Sequence, residues 1–191
     1  MLNLLVGYIN LIQDENIKRI VKTLFTDKQV QMCMEHASTY SGHNHPEDEF
    51  CKFGQLRHTL RVCNIAIQLM RSIPGVTPLD YDIVIASSLL HDVPYKFNFT
   101  TGYTELNHAV LNAKWFYAKS EQLDFKGETR DRIMSCILNH MGKWETSRDS
   151  LFDTFTPDQY TWAVHLADSL SSRKNVAIDI NDLNYIKENL N

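Results

Sequence analysis

The stretch Ile83-Val84-Ile85-Ala86-Ser87-Ser88-Leu89-Leu90-His91-Asp92 decides the reading of this chain. Its first eight residues form an apolar helical run, and His91-Asp92 closes it. Adjacent imidazole and carboxylate groups are poor core material, because each would have to be desolvated. They suit a metal site at a helix end, since both can ligate one borderline or hard cation. His58, His108, His140 and Asp168 repeat the pattern, as polar groups on otherwise apolar helical faces. The set predicts a metalloenzyme.

Outward from this stretch, helix periodicity dominates and strand signals are nearly absent. The spacing predicts helices from about Asp14 to Phe25, Phe53 to Ile73, Leu79 to Asp92 and Glu128 to Met141. Another begins at Thr104 or Glu105 and reaches about Lys119. Pro74-Gly75, Pro94 and Gly142 supply stop signals. Thr156-Pro157 reads as an N-cap followed by proline at the first helical position, opening a long helix to about Lys174. A short last helix is expected from Asn181, its N-cap, to about Leu190. A polar loop separates the first two, from about His36 to Lys52. The predicted fold class is all-α, a helical bundle with the metal site in its core.

At 191 residues the chain suits one domain with a sizeable core. Residues 1–191 are expected to form that domain, with a helical extension over about 1–35 and a core over about 43–175. The hydrophobic share of 43% and charged share of 22% fit a soluble globular protein. A net charge of -4 argues against non-specific binding to long duplex DNA. The cysteines Cys33, Cys51, Cys63 and Cys136 form no CxxC pair. The opening MLNLLVGYINLIQ lacks a basic leader, and no apolar run is long enough to span a bilayer. A reduced, cytoplasmic setting is expected, with the apolar N-terminal segment as a possible homo-oligomer surface.

In the second predicted helix, Arg57, Arg61, Asn64, Gln68 and Arg71 define a polar stripe. His58 lies off it, heading the apolar series Val62, Ile65 and Leu69. His140 shares a face with Ile133, Cys136 and Ile137, and His108 with Leu111 and Trp115. Asp168 lies one turn past Val164 and His165. Any one of these alone reads as a hydrogen-bonded core residue or a solvated one. Several imidazoles and two carboxylates aimed inward together would be costly unpaired. A shared divalent cation removes that cost and adds its binding free energy to folding.

The order of these residues resembles the HD-domain superfamily of metal-dependent phosphohydrolases. The matching stretches are Arg57-His58-Thr59-Leu60-Arg61-Val62, Ser88-Leu89-Leu90-His91-Asp92, Asn107-His108-Ala109, the run from Ile137 through His140 to Trp144, and the run from His165 through Asp168 to Arg173. The segment from His43 through His45 and Pro46 to Phe53-Gly54-Gln55-Leu56-Arg57-His58 also resembles HD domains of 3′-to-5′ exoribonucleases and of phage-encoded proteins. The resemblance implies that His58, His91, Asp92 and Asp168 hold one metal, while Asp92 bridges to a second held by His108 and His140. It thus implies two divalent ions per chain (Mn, Fe, Zn, Ni or Co) that share a hydroxide as nucleophile.

Many relatives carry a lysine soon after the His-Asp pair; here Lys96 stands one position later. Asp92, Lys96 and Arg61 are the catalytic candidates. Arg61, Lys96, Lys143, Trp144 and Arg173 are the candidates for holding substrate: the cations for phosphate, Trp144 for stacking on a base. His45 is read as an exposed loop histidine, the alternative being an approach to the metals from that loop, and His36, His43 and His165 receive no role. The implied activity is a phosphohydrolase or phosphodiesterase acting on a nucleotide, a signalling nucleotide or a short nucleic-acid end. The alternatives are an HD-type mixed-valent di-iron oxygenase acting on a small polar substrate, and a nucleotide-binding module without turnover.

Overall fold

The computed structural model describes residues 2–39, 45–101, 103–142, 157–176, 178–188 and 190. Among them the regular structure is helical: α1 (Leu2–Ile9), α2 (Glu15–Leu24), α3 (Lys28–Glu35), a 3-10 turn (Glu47–Glu49), α4 (Gly54–Met70), α5 (Pro78–Leu90), α6 (His108–Gln122), α7 (Glu128–Asn139), α8 (Gln159–Ser171) and α9 (Leu183–Glu188). The all-α expectation holds. No described helix is long and apolar enough to cross a membrane.

The central helix is α4, packed on α8, α5, α3, α1 and the 3-10 turn. It is buried on nearly every side, so its composition cannot be that of a surface helix. Its apolar side chains divide between two clusters. Leu56, Leu60, Cys63 and Ile67 face a large core shared with α1, α2, α3, α5, α6 and α7. Val62, Ile65, Ala66 and Met70 face a smaller one with Val84, Cys136, Ala163, Val164 and Ala167. Each fully buried aliphatic side chain here contributes roughly 1.5–3 kcal/mol.

The stripe read as polar on α4 is buried at its middle, at Arg61 and Asn64, half-buried at Arg57 and Gln68, and exposed at Arg71. Asn64 is buried and donates to the Asp179 carbonyl (3.1 Å). Arg61 is buried against the 3-10 turn. Residues far away in sequence cover this face and satisfy its polar groups, which periodicity cannot register.

Local chemistry accounts for the helix starts. Thr77 and Asp80 form a reciprocal capping box at α5, with Pro78 at its first position. Asp14, Asp27 and Asp158 cap α2, α3 and α8 through their side chains. The start of α8 thus falls at Asp158 rather than at Thr156, which lies outside the described residues. Helix α6 begins later than its periodicity suggests. Thr104 bridges to Phe97 and the Glu105 N–H donates to the Lys96 carbonyl (2.8 Å), so those residues are extended. Helix α9 starts at Leu183; Asn181 instead bonds Asp179 through its own N–H (2.8 Å). The opening segment, a possible oligomer surface by sequence, buries Leu5, Tyr8 and Ile9 in the core and leaves Leu2 and Val6 exposed.

Candidate metal centre

The apolar run of α5 ends at His91, its C-cap, and delivers Asp92 into the interior. The two carboxylate oxygens of Asp92 face two different groups of side chains. Oδ2 receives Lys96 Nζ (2.5 Å) and Gln55 Nε2 (3.0 Å), with His91 Nε2 at 3.2 Å and His58 Nε2 at 3.6 Å. Oδ1 faces His108 Nε2 (3.1 Å) and His140 Nε2 (3.6 Å). Asp168 comes in from α8, with Oδ1 at 3.0 Å from His58 Nε2 and 3.9 Å from His91 Nε2.

The far nitrogen of each imidazole is anchored. Nδ1 of His91, His108 and His140 lies 2.7 Å from the carbonyl three residues earlier, that of Ser88, Glu105 and Ile137 respectively. A carbonyl can only accept, so Nδ1 carries the proton and Nε2 presents a lone pair to the centre. Ser88 and Ile137 lie in last helical turns, where carbonyls lack intrahelical partners. His58 sits inside α4 and finds its partners elsewhere: Ser171 Oγ at hydrogen-bond distance (3.2 Å) and the Glu49 carboxylate as an ion-pair neighbour, with Oε2 at 3.5 Å.

This arrangement fits a bound cation. Nε2 of His58 and of His91 is buried without a hydrogen-bond partner. A buried nitrogen left so costs about 1–3 kcal/mol, and coordination removes that cost. Ligand atoms of His58, His91 and Asp92 lie within 4.8 Å of one another, as do those of Asp92, His108 and His140, and those of His91, His140 and Asp168. Oxygen and imidazole donors together suit a borderline divalent ion.

Charge is strongly perturbed throughout. Burial opposes ionisation of Asp92, but His91, Lys96 and the hydrogen bonds of His108 and His140 hold its carboxyl well below the usual range. Burial likewise opposes Asp168, and His58 overcomes it. For His58, burial and the Lys96 charge act downward. Asp168 and Glu49 prevail and raise it to about 9. Burial pushes His91 down. Perturbation of this kind, on geometry of this kind, marks a functional site.

The site also gathers Glu49 and Gln55, which the sequence did not single out, and His45 from its loop. Glu49 is fully buried and holds Arg61 through Oε1 (2.5 Å) and His45 through Oε2 (2.7 Å). His45 is therefore no exposed loop residue; its ring centroid lies 5.4 Å from that of His58. Gln55 reaches Asp92 from the first turn of α4. Its signal was a buried-face position one turn before His58. Glu49 offered none, because an acidic turn normally reads as solvated. His165 lies 2.6 Å, at Nδ1, from the His140 carbonyl and so braces the end of α7.

Of the substrate-binding candidates, Lys96 is drawn into the centre despite its shifted position. Arg61 is paired with Glu49 and with Asp48 Oδ2 (2.6 Å). The reason is the 3-10 turn, which lays two carboxylates on that face of α4. Arg173 is exposed beyond α8. Lys143 and Trp144 lie outside the described residues, as does His43.

A family model described as HD domain matches residues 56–173, more than half of the chain and including all six residues of the cluster. The chain belongs to the HD domain family. HD domains bind divalent metals, and membership indicates a metal-dependent hydrolase. No curated protein and no solved structure gives a significant match to this HD domain chain. The family match begins after His45, Glu49 and Gln55.

Proposed function

We propose that this HD domain is a phosphohydrolase or phosphodiesterase for a nucleotide, a signalling nucleotide or a short nucleic-acid end. The observation that carries the proposal is Asp92, whose Oδ2 faces His58 and His91 while Oδ1 faces His108 and His140. In this reading His58, His91, Asp92 and Asp168 hold one divalent ion, and Asp92, His108 and His140 hold a second. When bound, such ions lower the pKa of water towards about 7 and neutralise charge building on phosphoryl oxygens.

The protein's own groups do the remaining work. The backbone anchors at Ser88, Glu105 and Ile137 keep three imidazoles in the ligating tautomer before any ion arrives. Lys96 and Gln55 already donate to Asp92 Oδ2 and are the donors placed to meet a phosphoryl oxygen beside it. The chain's acidic balance favours a small substrate over long duplex DNA. The same reading treats the whole chain as one domain, since α1 and α2 share the large core with α4 and α5.

Elemental analysis of purified protein, with hydrolysis of a nucleotide panel under added Mn²⁺, tests this. About two metals per chain and release of phosphate or a nucleoside monophosphate are expected. Bound iron with oxygen uptake and no hydrolysis would replace the proposal with an oxygenase.

A further inference from the structure

Among the four histidines of the centre, His58 differs in how its outer nitrogen is held. The other three lean on backbone carbonyls, whereas His58 Nδ1 faces a buried carboxylate, Glu49 Oε2 (3.5 Å), and Ser171 Oγ (3.2 Å). The Ser171 hydroxyl donates its own proton to the Asp168 carbonyl (2.8 Å), so towards His58 it can only accept. Both neighbours of Nδ1 are thus acceptors. His45 Nδ1 shares the same Glu49 oxygen at 2.7 Å.

Glu49 is held in place by its surroundings. Its other oxygen accepts from Arg61, and its backbone carbonyl accepts from the Ser38 N–H (2.8 Å). Gly54 packs against that carbonyl so closely that a Cβ would come within 2.0 Å of it.

We infer that Glu49 is a positioning residue for the metal centre, fixing His58 with its proton on Nδ1 so that Nε2 is delivered to the ion shared with His91, Asp92 and Asp168. The inference rests on the metal reading proposed above. A full negative charge 3.5 Å from Nδ1 also strengthens the imidazole as a donor more than a carbonyl does, so the ion at His58 gains most from it.

Glu49→Gln tests this closely. Arg61 can only donate, so the single amide oxygen must turn towards it. The amide NH2 then faces His58 Nδ1, which favours the opposite tautomer, with the proton on Nε2 and pointing at the metal. The expected results are a switch of His58 tautomer in imidazole 15N NMR of the metal-free protein, recorded above its pKa of about 9 where the ring is neutral, and Mn²⁺ affinity about tenfold or more weaker. Measured in a His140→Ala background, the loss is read on the His58 ion itself. In the otherwise unaltered chain, the other ion should keep its affinity.

An unchanged tautomer and unchanged affinity, or equal weakening of both ions, would overturn the inference. If thermal melting shows that Glu49→Gln does not fold, Glu49→Asp keeps the charge for Arg61 but draws the carboxylate back from His58, and should weaken the same ion selectively. No such effect from it would count equally against the inference. Absence of Mn²⁺ binding by the unaltered chain is a different result, which removes the metal reading and this inference with it.

Discussion

His108 Nε2 and His140 Nε2 face each other at 3.2 Å, each ring having its other nitrogen against a backbone carbonyl. Two lone pairs cannot stay so close without a cation between them. A shared proton or a metal ion can take that place. Burial alone would lower the His140 pKa, but the Asp92 and Asp168 carboxylates raise it instead. A divalent ion would take over the same position.

His140→Ala should therefore weaken one ion about tenfold or more and leave the one at His58 in place. Metal stoichiometry after dialysis against limiting chelator checks this. An unchanged stoichiometry would exclude His140 as a ligand.

Asp92→Ala should abolish binding of both ions, because both groups of histidines converge on that carboxylate. It also leaves the buried Lys96 ammonium without its partner. Removing one member of a buried ion pair costs about 3–5 kcal/mol. Urea unfolding of the metal-free variant measures the cost, and activity surviving metal depletion would contradict the reading.

The metal-free protein should lose stability on the alkaline side. The folded pKa of His58, about 9, lies above the usual value of 6.5, so its contribution is complete below about pH 6.5. That contribution disappears as pH rises through about 9. Asp92 and Asp168 are shifted the other way, and their contribution is lost only in acid. An ion replaces the His58 proton, so apparent metal affinity should climb across the same alkaline window. Denaturation at a series of pH values, with and without chelator, measures both. Flat stability from pH 6.5 to 9 with chelator present would rule out the assignment.

Arg61→Met should act on stability rather than on substrate. It strips Glu49 of one buried partner and is expected to cost about 3 kcal/mol, read as a lower Tm. A raised KM at unchanged Tm would return Arg61 to a phosphate-binding role.

Gly54→Ala should be poorly tolerated, since the added methyl group meets the Glu49 carbonyl and the Ser38 nitrogen, both backbone. A loss of about 3 kcal/mol is expected from such overpacking, measured by thermal unfolding. A wild-type Tm would show that the 3-10 turn can shift.

Much of this molecule was legible from local pattern. Helices α2, α4, α5 and α7 lie close to their periodicity, because apolar spacing, capping residues and turn prolines act within a few residues. Helix α6 started late because Thr104 and Glu105 pair with Phe97 and Lys96. Helix α1 forms within the expected helical extension and buries Leu5, Tyr8 and Ile9 in the core.

By itself the sequence determined the helical class and brought His58, His91, Asp92, His108, His140 and Asp168 under suspicion, since ligand-type side chains on apolar helical faces betray themselves within one turn. Only the tertiary structure decided which Asp92 oxygen faces which histidine, that Arg61 is spent on Glu49 and Asp48, and that Glu49 stands behind His58. Those relations join segments from separate elements, as Ser171 and His58 do across 113 residues. Desolvation then makes their pairing obligatory once packing has brought them together.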